Sequence, residues 1–192
     1  MDTSMIVAIV GGAVLVWAYL TYAKLIRMRN DVKEALSGID VQFQKRADLI
    51  PNMMKMAAKF MEHERGLLTE IVELRNEVIK DYNKNSSSTV KDHIDLENKL
   101  KSRMDAFKIN VENYPDLKSD QTMINAMNSL EEVEANISAA RRFYNAAVND
   151  LNNMVEIFPS SFIASLIKVE GMPFFEAEEA AKKAVNADDY FK

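Results

Sequence analysis

The sequence predicts an all-α protein: an N-terminal transmembrane helix followed by an antiparallel four-helix bundle of long amphipathic helices. Three observations carry this reading. Residues 3–23 form an uncharged run of 21 residues. At roughly 1.5 Å per residue, a helix of that length matches the ~30 Å hydrocarbon core of a bilayer. Beyond Lys24, apolar residues recur at three- and four-residue steps, the period of a helix with one buried face. Between Gly12 and Gly171 the only glycines are Gly38 and Gly66, which leaves little room for strands, tight turns or phosphate-binding loops.

The span holds Met5 near its start and the pair Gly11-Gly12 at its middle. Trp17, Tyr19 and Tyr22 lie toward its second boundary, where amphipathic rings favour the headgroup level. Lys24, Arg27, Arg29 and Lys33 follow, with no basic residue on the other side. The positive-inside rule therefore puts the N-terminus outside and the remainder in the cytoplasm. The rival readings are a buried core helix, which would show a polar side that this run lacks, and a cleaved signal peptide. Thr21-Tyr22-Ala23 offers a small-x-small site, but a leader wants a basic start and only Asp2 precedes the run. The expected division is residues 1–24 as outside terminus and span, 25–158 as the bundle, and 159–192 as a tail with a short apolar helix.

In the first bundle helix Leu25, Met28, Val32, Ala35, Ile39 and Phe43 share one phase, which runs on through Ile50, Met54, Ala57 and Met61. Pro51 interrupts it by removing a donor. Either the helix kinks there and turns near residues 63–66, or a new helix begins with Asp48 as its cap; the unbroken phase favours the kink. The second helix carries Leu67, Leu68, Ile71, Leu74, Val78 and Tyr82 and ends in the polar loop Asn83–Ser88, where Ser88 or Thr89 can cap the third. There Val90, His93, Glu97, Leu100, Met104, Phe107, Val111 and Tyr114 keep a near-heptad seam, stopped by Pro115. Ser119 or Asp120 can cap the fourth helix, about 38 residues long, which Phe158-Pro159 closes. In the tail Phe162, Ile163, Leu166 and Ile167 make a short apolar segment, and Gly171-Met172-Pro173-Phe174-Phe175 follows before a Glu/Ala/Lys-rich end. This tail reads as a flap over one end of the bundle or as an interfacial or partner-binding hook.

Composition excludes several functions. The chain has 192 residues, a net charge of −5 and no cysteine. No basic cluster stands out beyond the one beside the span, which argues against nucleic acid as a partner. There is no thiol nucleophile and no cysteine-ligated metal. A di-metal bundle site needs two Glu-x-x-His pairs, yet Phe60 and Val90 stand where the glutamates would be. His63-Glu64 lacks the second histidine of a zinc protease. His93 and Glu97, one turn apart, can share a metal ion or simply pair with each other.

Several segments together carry a family resemblance. They are Ile39-Asp40-Val41-Gln42, Arg46-x-Asp48-Leu49-Ile50-Pro51-Asn52, His63-Glu64, Tyr114-Pro115-Asp116-Leu117-Lys118 and Ala140-Arg141-Arg142-Phe143-Tyr144-Asn145. The chain resembles the LemA family of bacterial membrane-anchored proteins from the span to about Ala164. The resemblance implies a single-pass protein of the bacterial plasma (inner) membrane, with a short outside N-terminus and a cytoplasmic four-helix bundle. Leu36 stands where the family often has tryptophan, and Met123 where it often has phenylalanine; both remain apolar packing positions.

The remaining candidate residues are structural in kind. Glu134, Arg141, Asn145 and Asn152 form a polar line beside the apolar stripe of the fourth helix, and Asp40, Gln44, Asp48 and Asn52 form one on the first, with Arg46 near it. Half-buried polar groups must find partners, so the two lines are expected to meet in an inter-helix network that fixes register. Leu25, Met28, Val32, Ile39 and Phe43, with Phe162, Ile163, Leu166 and Ile167, are the candidate contacts to a second copy or a partner. The expected function is a non-enzymatic scaffold at the membrane that self-associates, without cofactor, and whose partners are the lipid bilayer and its own copies. The alternative is an adaptor or regulator that docks another membrane protein, such as a protease, transporter or signalling component.

Overall fold

The structure is a computed structural model that describes residues 2–176. The Glu/Ala/Lys-rich end of the chain lies outside the described residues. Within them all regular structure is helical: α1 (Thr3–Ala57), α2 (Arg65–Val78), α3 (Ser87–Val111), α4 (Pro115–Lys118), α5 (Gln121–Glu156) and α6 (Ser160–Leu166).

The apolar run and the first amphipathic helix are one element. α1 is 55 residues long and passes through Pro51 without a break, a length of about 82 Å. Pro51 lacks the N–H that would bond to the carbonyl of Ala47 one turn back. Arg75 on α2 takes that place, donating Nε–H to the Ala47 carbonyl at 3.2 Å. The freed acceptor is thus satisfied from a neighbouring helix. The chain turns after Ala57, and a single 3-10 turn at Glu62–Glu64 leads into α2.

α3 begins at Ser87, earlier than the capping pattern predicts, and Thr89 does not cap it but donates its hydroxyl back to the carbonyls of Asn83 and Ser86. The short helix α4 follows Tyr114, where the sequence shows only a stop. Asp120 caps α5 as expected, accepting from the N–H groups of Thr122 and Met123. Those two bonds hold its carboxyl below the usual carboxylate range.

Three apolar layers follow one another along α1. The farthest from the uncharged run gathers Ile50, Met53 and Ala57 of α1, Leu68 and Ile71 of α2, Leu100, Met104 and Phe107 of α3, Leu117 of α4, and Met123 and Leu130 of α5. The middle layer joins Val32, Leu36, Ile39 and Phe43 of α1 to Val90 and Ile94 of α3 and to Val133, Ile137, Tyr144, Val148 and Leu151 of α5. Val169, Met172 and Phe175 from beyond α6 complete it. In the nearest layer Leu25 of α1 meets Ile163 and Ala164 of α6, with Ala18 packed beside them.

Helix lengths explain that ending. α5 has 36 residues and α3 25, while α2 has only 14. The stripes of α1 and α5 therefore run on past the other two helices, and residues 160–175 cover what is left.

Candidate functional site

Two polar constellations lie on this frame. The first is buried between α1, α3 and α5. Arg46 sits inside the apolar stripe of α1 and is fully buried. Its guanidinium pairs with Glu97 of α3 and, at 3.1 Å, with Glu134 of α5. Burial lowers the pKa of Arg46, and Glu134 works against that shift. Glu97 is itself buried, and its Oε1 accepts no hydrogen bond among the described residues. His93 Nε2 lies 3.9 Å from that oxygen. Burial depresses the pKa of His93, with Lys84 and Arg46 acting the same way and Asp40 opposing. The imidazole therefore favours its neutral form.

The Tyr82 ring stacks on His93 at 4.0 Å, and its hydroxyl donates to Asp40 Oδ1 at 2.9 Å. Burial first, then Asp40, push the Tyr82 phenol well above its ordinary pKa, so it keeps the proton it donates. Lys84 Nζ closes on Asp40 Oδ2 at 2.5 Å. These residues line an open cleft between α1, the end of α2 and the start of α3. Among the described residues no group of three histidine or acidic side chains stands close enough to hold a metal ion. What the cluster can do is fix three helices in one register.

The second constellation is neutral and grips a stretch of backbone. Asn145 accepts from the N–H of Phe175 and donates to its carbonyl, both at 2.9 Å. Seven residues on, Asn152 does the same for Met172, at 2.8 and 3.0 Å. Tyr144 donates its hydroxyl to the Pro173 carbonyl at 2.9 Å, and burial raises that phenol's pKa. Gly171 lies so close that a Cβ there would stand 2.9 Å from Asn152 Oδ1. An extended segment has no internal hydrogen bonds, so its buried backbone groups must be met from outside. Here α5 meets them with side-chain amides.

The sequence-predicted residues separate accordingly. Arg46 and Glu134 meet, with Glu97 as a third member that the polar-line reading missed; its signal was a carboxylate on the apolar seam of α3. Asp40 turns to Tyr82 and Lys84. Gln44, Asp48 and Asn52 are exposed, and Gln44 bonds to Asp48 on the surface, so the half-buried line expected on α1 is corrected at these three positions. Arg141 donates to Asn98 Oδ1 at 3.2 Å, with its guanidinium over the rings of Phe175 and Phe43. Asn145 and Asn152 hold the tail rather than α1.

The candidate outward contacts on α1 are also corrected. Leu25, Val32, Ile39 and Phe43 are buried within the chain and Met28 is half-buried, because α5 and residues 160–175 cover that stripe. Ile163 is buried and Ile167 half-buried, while Phe162 and Leu166 stay exposed. In the apolar run Met5, Gly11, Gly12, Trp17, Tyr19 and Tyr22 are all exposed. One 18-residue window there is long and apolar enough to cross a membrane, and none of it is buried by the rest of the chain.

A curated relative, Protein LemA of Metamycoplasma hominis, is 24% identical over 167 residues, covering 86% of this chain and 74% of that protein. The family model described as LemA family matches residues 35–188, a stretch holding both polar constellations. The chain belongs to the LemA family.

Proposed function

We propose that the chain is a non-enzymatic scaffold of the bacterial plasma membrane, anchored by α1 with its N-terminus outside. Its four long helices, α1, α2, α3 and α5, then form an antiparallel bundle in the cytoplasm, and copies associate through the span. The observation that carries this reading is the division of α1. Up to Leu20 the helix is bare of contact over nearly all its length, whereas from Thr21 onward its apolar stripe is covered by the chain itself. A bare apolar face belongs against lipid or another span, and the covered part needs no partner. Ala8 and Gly12 place two small residues one turn apart on the bare part, which lets two helices approach closely.

The test is crosslinking in native membranes, comparing the intact chain with Gly12→Leu, at a position where an added Cβ would meet nothing within 4 Å. Self-association lost in Gly12→Leu supports the scaffold. A chain that stays monomeric in membranes overturns it. Orientation has its own check: protease added to spheroplasts should not reach the Asn83–Ser88 loop, and cleavage there without lysis would reverse the topology.

The adaptor reading has one observation in its favour. The Asn145 and Asn152 amides hold a segment by its backbone, a contact open to an extended segment of any sequence that fits the apolar groove. Recovery of a defined membrane protein in place of a second copy, lost in the Asn145→Ala variant, would put this reading first.

A further inference from the structure

The corner between α5 and α6 exposes several large apolar side chains close together in sequence. Residues 157–167 read Ile-Phe-Pro-Ser-Ser-Phe-Ile-Ala-Ser-Leu-Ile, without a charge. Four of their side chains stand in the open: Ile157 is 59% exposed, Phe158 81%, Phe162 67% and Leu166 71%. Water is a poor neighbour for so many large apolar groups in one place, and contiguous patches of this kind mark interaction surfaces.

Position decides what the surface meets. The opposite side of α6, Ile163 and Ala164, packs on Leu25, with Ala18 beside it, and Thr21 is buried at the same level. Ala18 and Thr21 belong to the uncharged run. α6 is therefore not farther along α1 than the end of the span; it overlaps it. The stretch from Ala18 to Leu25 rises about 10 Å along the helix, comparable with the 5–7 Å depth of a headgroup region plus the first acyl carbons. Trp17, Tyr19 and Tyr22 occupy the same level, and Lys24 and Lys168 flank it as exposed cations suited to lipid phosphates.

We propose that the α5–α6 corner is a second membrane contact, with Ile157, Phe158, Phe162 and Leu166 seated in the headgroup and upper acyl region of the leaflet that α1 crosses. The proposal rests on the reading that α1 spans a bilayer. The occupant is the lipid surface because α6 is held, by the packing of Ile163 and Ala164 on Leu25 with Ala18 beside it, at the level where the bare apolar run of α1 ends. Such a foot would hold α1 and the domain at a fixed tilt, since the chain then touches the bilayer at two points.

The chain has no cysteine, so single dye-labelled positions are clean. The full chain carrying an environment-sensitive fluorophore at Leu15→Cys, Phe162→Cys, Leu166→Cys or Phe143→Cys is reconstituted into vesicles of phosphatidylcholine and phosphatidylglycerol, with or without nitroxide-bearing lipid. Residue 143 is 74% exposed and belongs to the part of α5 packed near Phe43, about 27 Å along α1 from Leu25. Lipid quenching at 162 and 166 at least half as strong as at 15, with none at 143, supports the foot. Quenching at 15 with none at 162 and 166 overturns it and leaves the anchor standing. A blue-shifted but unquenched dye at 162 also overturns it, because a protein surface, a second copy or another chain, then covers the corner. If residue 15 itself is unquenched, the membrane anchor falls and the foot with it.

Discussion

The two ends of the helical domain are closed by different means. Far from the apolar run, residues of α1, α2, α3, α4 and α5 make an apolar core drawn almost wholly from helices, whose backbone groups pair along their own axes; the carbonyl that Pro51 frees at Ala47 accepts from Arg75. Near the apolar run α2 has already ended, and an extended segment takes its place beside α1 and α5. That substitution needs polar side chains, because a buried extended backbone brings donors and acceptors that a helix would have paired internally. Asn145, Asn152 and Tyr144 are what the replacement requires. The difference teaches that asparagine on a helix face can be a sign of neighbouring irregular chain rather than of a facing helix.

The comparison breaks first at the seam between the two ends, where Arg46 joins three helices. Arg46→Ala leaves Glu97 buried and unpaired and should cost about 3–5 kcal/mol. The thermal melt of the domain should fall as one transition, with both ends lost together; a melt within a degree or two of the parent would mean the charges are solvated. Asn145→Ala should act on one end only, at about 1–3 kcal/mol for two hydrogen bonds. Hydrogen exchange would then rise at the amides of Met172, Phe174 and Phe175 and stay unchanged at residues 100–107, and equal loss at both ends would refute the independence of the closures. Arg141→Ala, which removes a half-buried guanidinium from two rings and Asn98, should cost about 1–2 kcal/mol. Its exposed neighbour Arg142→Ala should cost under about 0.5 kcal/mol, and matching melts would remove Arg141 from the interior.

The Pro51 repair sharpens the account of the far end. Arg75→Ala should cost about 1–2 kcal/mol in the parent and clearly less in Pro51→Ala, where the Ala47 carbonyl regains its own helix donor. Additive effects would show that Arg75 acts elsewhere. The smallest effect expected is on pH. His93 has its folded pKa held below the ordinary 6.5 by burial. The unfolded chain therefore takes up a proton that the native state refuses, and stability should fall as pH drops below about 6.5. A His93→Gln variant should show a shallower decline over that window, and identical slopes would mean the imidazole is solvated.

The long helices were legible because each keeps a 3.6-residue phase, and the Asp120 cap because a carboxylate stood just before an apolar stripe. The α1 polar line was misread for a geometric reason. Steps of four residues advance about 40° beyond a full turn, so Gln44, Asp48 and Asn52 drift round from Asp40 toward solvent. Steps of seven, four and seven on α5 return to within about 20°, and Glu134, Arg141, Asn145 and Asn152 stay at one edge of the buried face. The partner of that edge was beyond reach of periodicity, because residues 169–175 have none. Nor does any local pattern announce that a carbonyl freed by Pro51 is met by Arg75, 24 residues later in the chain.

An unbroken α1 also sets an angular phase between its two halves. At about 100° per residue, Gly12 points roughly 140° away from Leu25, whereas Gly11, Ala18 and Thr21 fall within about 40° of it. The side of the rod bearing Ala8 and Gly12 thus faces away from α6 and α5, and two rods meeting there would carry their domains outward without collision. A single residue inserted after Val16, ahead of Ala18 and Leu25, would turn that side by about 100° relative to the domain while leaving the packing of Leu25 on α6 in place. The helix is in this sense a shaft, and the number of residues along it is the setting that aims one end at the other.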